Sequence, residues 1–378
     1  MKSIAATEND KARCVPSNDS EMDFTISFYE NELPSFVEVE LERLYENVYT
    51  SLARYKIYAE VENASTYIVQ KGIQIVTIFL FQMEKNEVKV LNKQIKIDEE
   101  EIIRFANAIF SRFGSINIIS FYAIESNINR LTFPHQQYNC LEDIVLILPE
   151  TPEKYLASLR SNTRCDVKKY IKNFEQKFPS FKFETYLKED ISEHHIREII
   201  SLTEARMAFK GKPSYICDDE TKRIILLVKI YGLVGVITID GRICAGHICY
   251  CIGTKYFMHI IGHDPQYNDY KLGIICNYFS ICDSIVRGGR ECRLMGGGHK
   301  YKAKFLAAPL MFDSLSVYRS RMQFLLNVRR VLKIQLRIYY GKLNRLLLAS
   351  EQKENFVHRL VAKAITCARR LKQSKIIK

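Results

Sequence analysis

The sequence predicts an α/β protein of the α+β kind, in which two similar units of mixed, mostly antiparallel sheet are flanked by helices and followed by a basic helical extension. Three observations support this fold class. The 378 residues are 47% hydrophobic and 26% charged, a balance typical of globular domains. An order of three strands, a helix and a strand occurs twice along the chain. Lysine and arginine are concentrated towards the C-terminus.

The first unit is predicted over residues 31–148, after a flexible N-terminal arm of residues 1–30, which are polar and lack periodicity. A helix is predicted from Val37 to Tyr55. The strands TYIV, IQIVTIFLF and EVKVL follow, separated by turns at residues 71–72 and 84–86, and predict a three-stranded meander. After an acidic start, IIRFANAIFSRF places its apolar residues on one helical face, and the strand INIISFYAI completes the unit.

The second unit is predicted over residues 149–318 and repeats this order with little identity. The strands GVITI, RICAGHICYCI and YFMHIIG predict a second meander, followed by a helix from about Leu272 to Arg287 and the strand ECRLM. A basic amphipathic helix within residues 151–176, the strand FKFETYL and a helix from Ser192 to Phe209 precede the meander, with Ser192 as the N-cap. The repeated order suggests duplication within the chain.

The net charge of +12 comes from the basic tail, residues 319–378. That segment contains 16 Lys and Arg and two Glu, a net charge of +14, so the rest of the chain carries −2. Within the tail, residues 322–348 and 356–371 read as basic amphipathic helices. Three roles stay open: a helical hairpin packed on the body, contact with an anionic membrane surface, and nucleic-acid binding, for which no motif is present.

Cysteine spacing and hydropathy limit the other possibilities. The eleven cysteines show no zinc-ligand spacing, so we expect reduced thiols and no metal site. The first residues, MKSIAATENDKARC, contain no apolar stretch, and no segment has about 18 consecutive apolar residues. We therefore expect a cytoplasmic protein, with the tail as its candidate contact with the inner face of the membrane.

The start of the helix in the second unit is the first candidate binding site. A helix N-terminus offers unpaired N–H groups and a partial positive charge to an anion. The candidate residues are Tyr270, Lys271, Leu272, Gly273 and Ile274. Gly273 would let the backbone approach a phosphate closely, and Lys271 would add charge. Alternatively, Gly273 only relaxes the loop that enters the helix.

A glycine-rich segment after ECRLM is the second candidate. Gly297 and Gly298 are candidate substrate contacts. They precede the candidate catalytic residues Tyr301 and Lys302, whose hydroxyl and ammonium groups could orient a substrate or stabilise negative charge developing on a thioester carbonyl. The spacing is not that of a P-loop. Alternatively, the segment is a structural turn with a surface lysine.

Two histidines at the end of the strand YFMHIIG are candidate bases. An amine that attacks a thioester must lose a proton, and a histidine can accept it near neutral pH. His259 is the stronger candidate and His263 the weaker. Alternatively, both are ordinary strand residues.

Three of these segments together resemble a known family. YLASLRSNTRCDVKKYIKNFEQ, HDPQYNDYKLGIICNYFSICDSIVRGG and GGGHKYKAKF, within residues 151–317, resemble the CelD/BcsL-type acetyltransferase domain, a GNAT branch associated with bacterial polysaccharide biosynthesis. The resemblance implies tandem GNAT-like units, acetyl-CoA or another acyl-CoA as donor, and substrate contacts from Arg164 and Lys168. The sequence departs from the family in having Leu272 where the family usually has proline.

The chain resembles more distantly the Fem-type peptidoglycan aminoacyl transferases, which also contain two GNAT-like units. Three functions follow as hypotheses. The first is an N-acyltransferase that moves an acyl group from acyl-CoA to an amine or hydroxyl of a small molecule or glycan precursor in the cell envelope. The second is aminoacyl transfer from charged tRNA, the only case that needs a nucleic acid. The third is a non-catalytic scaffold for envelope assembly.

Overall fold

The computed structural model describes residues 15–16, 24–214, 216–296 and 299–350, and within them thirteen strands form one sheet. The strands are β1 Val15–Pro16, β2 Phe24–Tyr29, β3 Ser65–Lys71, β4 Gln74–Glu84, β5 Glu87–Val90, β6 Ile118–Ile124, β7 His135–Ile147, β8 Lys182–Leu187, β9 Gly232–Ile239, β10 Arg242–Ile252, β11 Lys255–His263, β12 Glu291–Arg293 and β13 Ala308–Tyr318.

Helices flank the sheet. They are α1 Val37–Tyr45, α2 Leu52–Ile57, α3 Glu99–Arg112, α4 Pro152–Ser158, α5 Ser161–Lys177, α6 Glu193–Phe209, α7 Asp218–Tyr231, α8 Leu272–Val286, α9 His299–Lys304, α10 Arg321–Leu326 and α11 Val328–Ser350. In the described part of the chain, no helix is both long and apolar enough to cross a bilayer.

The predicted repeat is present as two ladders of the same design. Strands β2 to β6 form the first ladder and β8 to β12 the second. In each ladder the first four strands pair antiparallel, whereas the last pair is parallel: β5 with β6, and β11 with β12. Helix α3 or α8 makes the crossover that a parallel pair requires. Both predicted meanders and both crossover helices are therefore confirmed.

The two ladders are joined by exchanged strands. Strand β13, late in the sequence, pairs with β6 of the first ladder, while β7 pairs with β12 of the second. Strands β7 and β13 also pair with each other along most of their lengths. Residues 135–147 thus complete the ladder of the second predicted unit, and residues 308–318 complete the ladder of the first.

The apolar face predicted for α3 packs on the first ladder. Ile102, Phe105 and Ile109 are fully buried. The ring of Phe105 meets those of Tyr67 and Phe79 with centroids 4.8 and 5.2 Å apart, close to edge-on, a favoured aromatic geometry. This packing fixes where α3 begins, beside the end of β5.

The second ladder carries helices on both faces. Helices α6 and α7 cover one face, and α5 and α8 cover the other. Helix α6 lies unusually close to β11, because a Cβ on Gly262 would stand 2.6 Å from the carbonyl oxygen of Ile199. The end of α6 is therefore held beside the end of β11, where the candidate site lies.

Several boundaries predicted from the sequence are wrong. The flexible arm cannot extend to residue 30, since Phe24–Tyr29 form β2; residues 1–14 and 17–23 lie outside the described residues. The single helix predicted from Val37 to Tyr55 is broken, because the side chains of Asn47 and Ser51 accept hydrogen bonds from the backbone and start new turns.

Two more predicted helices are divided. Arg160 adopts an extended conformation between α4 and α5, and Asn327 separates α10 from α11. The second tail helix, predicted over residues 356–371, lies outside the described residues. Strands β7 and β13 and helix α7 were not predicted.

Candidate functional site

Strands β11 and β12 separate after a short stretch of pairing, which leaves an opening between them. The two strands pair only from Lys255 to Phe257 on β11 and from Glu291 to Arg293 on β12. Strand β12 then ends, whereas β11 continues to His263. The start of α8, the end of α6 and helix α9 lie around this opening.

The backbone turns sharply as it enters α8. Residues Pro265–Tyr270 form a short 3-10 turn, and Lys271 has a φ of 59°, in the left-handed region that non-glycine residues adopt rarely. Helix α8 starts at Leu272 with no acidic residue in its first turn. The partial positive charge of this helix end is therefore not neutralised by its own first turn.

The glycine at position 273 is required by a side-chain contact. A Cβ there would stand 2.7 Å from two atoms of the His263 ring. The imidazole thus packs directly against the first turn of α8. Its Nε2 lies 2.9 Å from Oδ1 of Asn268, while its Nδ1 is buried without a hydrogen-bond partner. Close packing against His263, and not only relaxation of the loop, therefore explains the glycine at position 273.

Uncompensated positive charge surrounds the start of α8. Arg206 and Lys210 extend from the end of α6, and Lys271 precedes α8. Among the residues that the structure describes, none of the three forms an ion pair, and Nε of Arg206 is buried without a hydrogen-bond partner. Burial lowers the pKa of Lys210, and the neighbouring Arg206 lowers it further. Such a cluster at a helix N-terminus favours an anion.

The charge of Arg206 also influences the pKa values of His263 and Tyr301. Burial is the main cause that lowers the pKa of His263, and the charges of Arg206 and Lys210 add to this effect. Burial raises the pKa of Tyr301, and Arg206 opposes that shift. Arg206 therefore lies among the helix start, the end of β11 and α9. The sequence gives no signal for Arg206, because only the fold brings the end of α6 to the start of α8.

His259 lies on β11 just beyond its last pairing with β12. Burial lowers the pKa of His259 to about 4, so the ring is neutral near physiological pH. The ring centroid lies 5.2 Å from that of Tyr250, and Nδ1 of His259 and the Tyr250 hydroxyl are both buried without partners. A neutral imidazole can accept a proton.

Lys302 makes structural contacts. Its Nζ donates to the carbonyl oxygens of Leu294 and Met295, both at 2.7 Å, and lies 3.4 Å from that of Gly296. The residue is 6% exposed. These contacts hold the turn between β12 and α9. The predicted contact with substrate or with developing charge stays a prediction for Lys302, since its ammonium is directed to the backbone.

The neighbouring Tyr301 is more accessible. It is 42% exposed, with its ring centroid 5.9 Å from Nζ of Lys302. The predicted substrate contacts Gly297 and Gly298 lie outside the described residues. Tyr301 is therefore better placed than Lys302 to meet a ligand.

The remaining predicted residues occupy different surroundings. Leu272 is fully buried, so only its backbone can face a ligand, and Tyr270 packs on Phe178, the residue after α5, with ring centroids 5.1 Å apart. Arg164 donates to the carbonyl oxygen of Ala157 in α4, and Lys168 is exposed. The structure does not bring Arg164 to the start of α8, since it is the other end of α5 that contacts Tyr270.

Part of the chain is similar to a known protein family. Residues 161–303 match the family model described as acetyltransferase (GNAT) domain, a span that contains β11, the start of α8 and Tyr301. This match shows that the segment is similar to GNAT acetyltransferase domains. The predicted fold class, a mixed α/β fold with a large, mostly antiparallel sheet flanked by helices, is confirmed. No curated protein matches the sequence.

Solved structures extend the similarity beyond that domain. FemX aligns with a TM-score of 0.57 at 8% identity, covering 78% of this chain and 98% of FemX. L-PGS from Bacillus licheniformis aligns at 0.41 and 13% identity, covering 68% and 85%. A tandem GNAT protein from the clavulanic acid biosynthesis pathway aligns at 0.38 and 9%, covering 78% and 98%. At such low identity, the similarity to FemX shows the fold alone.

Proposed function

We propose that the protein is an acyltransferase that moves an acetyl or other acyl group from acyl-CoA to an amine or hydroxyl acceptor. The observation that carries this proposal is the uncompensated positive charge of Arg206, Lys210 and Lys271 at the start of α8, beside the opening between β11 and β12. A pyrophosphate is the part of CoA that such a cluster would bind. Acyl-CoA would supply the acyl group: the acceptor's nitrogen or oxygen would bond to the acyl carbon, the thioester C–S bond would break, and CoA would leave as its thiol.

The residues around the opening suit the two tasks of such a reaction. Backbone N–H groups at the start of α8 would bind the donor, together with Lys271 and Arg206. His259, neutral because of its burial, would accept the acceptor's proton at Nδ1, directly or through water. Tyr301 would position the carbonyl or the acceptor. Lys302 would act through the turn that it holds.

The resemblance to the CelD/BcsL-type domain suggests where the reaction belongs. We propose an acceptor from bacterial polysaccharide or cell-envelope biosynthesis, either a small molecule or a glycan precursor. Aminoacyl transfer from charged tRNA is the second candidate, and the fold similarity to FemX is the observation that favours it.

Calorimetry with acetyl-CoA and with pantetheine tests donor binding. Pantetheine lacks the pyrophosphate, so we expect acetyl-CoA to bind and pantetheine to bind far more weakly. At about 100 times its Kd, acetyl-CoA should raise the free energy of unfolding by roughly 2.7 kcal/mol. Equal weak binding of both compounds would remove the proposal. Aminoacyl-tRNA, added in a parallel assay with envelope precursors, would then support the second candidate.

The pH dependence tests His259. If it is the base, kcat/KM should fall on the acid side only near its pKa of about 4, and the His259→Gln variant should lose that limb together with most of its kcat. An acid limb near the ordinary histidine pKa of about 6.5 would assign the proton to another group.

A further inference from the structure

Helices α10 and α11 expose an apolar surface that the other residues described by the structure do not cover. Val328, Leu332, Leu336 and Tyr339 are each at least half exposed. Their spacing of four, four and three residues places them on one face of α11. Just before this helix, Met322, Leu325 and Leu326 on α10 are 65 to 70% exposed. We refer to the four residues on α11 as the outer stripe.

The opposite face of α11 is fixed to the sheet. The guanidinium of Arg330 donates to the Glu87 carboxylate at 2.6 and 2.8 Å and to Oγ of Ser120 at 2.7 Å. Ile334, one turn further, is 7% exposed, and Gln136 of β7 donates to the carbonyl oxygen of Val331 at 3.3 Å. Because these contacts fix the rotation of the helix, the outer stripe must point away from the body.

Basic side chains follow one border of the outer stripe. Arg329, Lys333 and Arg337 are exposed and spaced four residues apart, so they form a row beside the apolar residues. Residues 321–339 contain five Arg and Lys and no acidic residue. A fixed helix with an apolar face and a cationic border matches the two components of an anionic bilayer surface, its acyl boundary and its headgroups.

The same charges disfavour the other occupants of this face. A second copy of the chain would bring two such cationic surfaces together. Residues 351–378 contain eight Lys and Arg against two Glu, so a hairpin of this segment on α11 would also combine like charges. Lipid headgroups supply the missing negative charge.

We propose that the outer stripe and its basic border bind the surface of an anionic lipid bilayer, with α10 and α11 lying parallel to it. The apolar residues enter the boundary between headgroups and acyl chains, and Arg329, Lys333 and Arg337 contact the headgroups. The proposal does not depend on the acyltransferase activity. It would restrict the protein to acceptors that the membrane surface presents.

Vesicle sedimentation of the full chain, without acyl-CoA, tests the proposal. We expect binding to vesicles of phosphatidylcholine with phosphatidylglycerol and little binding to phosphatidylcholine alone. Leu332→Glu with Leu336→Glu should abolish binding. Arg329→Gln with Lys333→Gln should reduce the partition coefficient about 25-fold, roughly fivefold for each charge. Ile73→Glu is the matched control, because Ile73 is fully exposed on a turn of the first ladder.

Three results would overturn the proposal. One is no sedimentation with anionic vesicles at low salt. Another is a concentration-dependent dimer that Leu332→Glu with Leu336→Glu dissociates, which would assign the outer stripe to a second copy. The third is unchanged vesicle binding by this variant together with a lower melting temperature, which would mean that residues 351–378 cover the stripe. Circular dichroism verifies that each variant is folded.

Discussion

The starts of helices α3 and α8 occupy equivalent places in the two ladders but carry opposite charge. Helix α3 starts after Asp98 with Glu99, Glu100 and Glu101 in its first turn, so carboxylates already neutralise the helix end. Helix α8 has no acidic residue in its first turn and has Lys271 before it. Equivalent places in the two ladders therefore differ in charge: carboxylates occupy the first turn of α3, whereas none occupies the first turn of α8.

The cavity beside the start of α3 is lined by acidic side chains, in contrast to the start of α8. A cavity of about 360 Å³ lies there, lined by Asp98, Glu100 and Glu101 along with Lys71, Lys96 and Arg104. Burial raises the pKa of Glu101, which accepts a hydrogen bond from Tyr67 and pairs with Arg104. Glu101 and Arg104 of this cavity are thus paired with each other, whereas Arg206, Lys210 and Lys271 beside α8 form no ion pair with a described residue. The side chains at each helix start, and not the shared order of strands, therefore determine the local charge.

The segments after the parallel strands differ as well. In the first ladder, β6 leads directly towards β7. In the second, β12 leads through Met295 and Gly296 into α9, and the ammonium of Lys302 ties that turn to α9. In the second ladder, the chain after the parallel strand is therefore an ordered turn and helix held by the contacts of Lys302.

Removing the Lys302 ammonium should produce the largest change. Lys302→Met leaves three backbone carbonyls without their donor in a buried place, so we expect a loss of at least about 3 kcal/mol in the free energy of unfolding. Denaturant unfolding measures it. Lys304→Met, on the exposed side of the same helix, is the control and should change little. Equal stability of both variants would mean that water replaces the ammonium and that the turn does not depend on Lys302.

Giving the second helix start a negative charge should make it resemble the first. Arg206→Glu replaces an unpaired guanidinium with a carboxylate beside the proposed pyrophosphate site, and we expect acetyl-CoA affinity to fall by about 100-fold, or roughly 2.7 kcal/mol. Calorimetry measures it. Arg197→Glu, exposed near the other end of α6, should bind acetyl-CoA normally. An equal loss in both variants would indicate a general charge effect and no specific site.

A side chain at position 273 should disturb the second helix start alone. Gly273→Val forces the His263 ring to move, because even a Cβ would stand 2.7 Å from it, and we expect a cost of about 2 kcal/mol in unfolding free energy. The equivalent second residue of α3 is Glu100, which is exposed, so Glu100→Val should cost less than about 0.5 kcal/mol. Similar values for the two variants would show that His263 adapts without cost.

The sequence predicted the ladders because their signals are local. Alternation in TYIV and IQIVTIFLF and the helical face of IIRFANAIFSRF each depend on neighbouring residues, and these elements are confirmed. Strands β7 and β13 were missed because each is completed by a strand from the other half of the chain. Their side chains pack in surroundings that no local pattern records.

Only the part of the candidate site that depends on neighbouring residues could be predicted from the sequence. The helix start at Lys271 to Gly273 follows from local punctuation, and the structure explains Gly273 through His263. Arg206 lies more than sixty residues earlier in the sequence and reaches the site only because α6 packs tightly on Gly262. The sequence shows Lys302 as a cation after glycines, which is why it predicts a role at the substrate. The three backbone carbonyls beside its ammonium are visible only in the structure.

The smallest effect expected is a pH dependence at the first helix start. Burial raises the folded-state pKa of Glu101, while Arg104 and Tyr67 oppose the shift and keep it modest. A raised pKa means that the folded state holds the proton more tightly than the unfolded state, so this carboxyl lowers stability as pH rises through and above its usual pKa. Glu101→Gln removes the titration. Its unfolding free energy relative to wild type should therefore increase from about pH 4 to about pH 7.

Denaturant unfolding at several pH values measures this difference, with Glu100→Gln as the exposed control on the same turn. A relative stability of Glu101→Gln that falls as pH rises would mean that the pair with Arg104 outweighs burial. The charged carboxylate would then be the form that the folded state favours, and Glu101 would contribute to stability through its ion pair with Arg104.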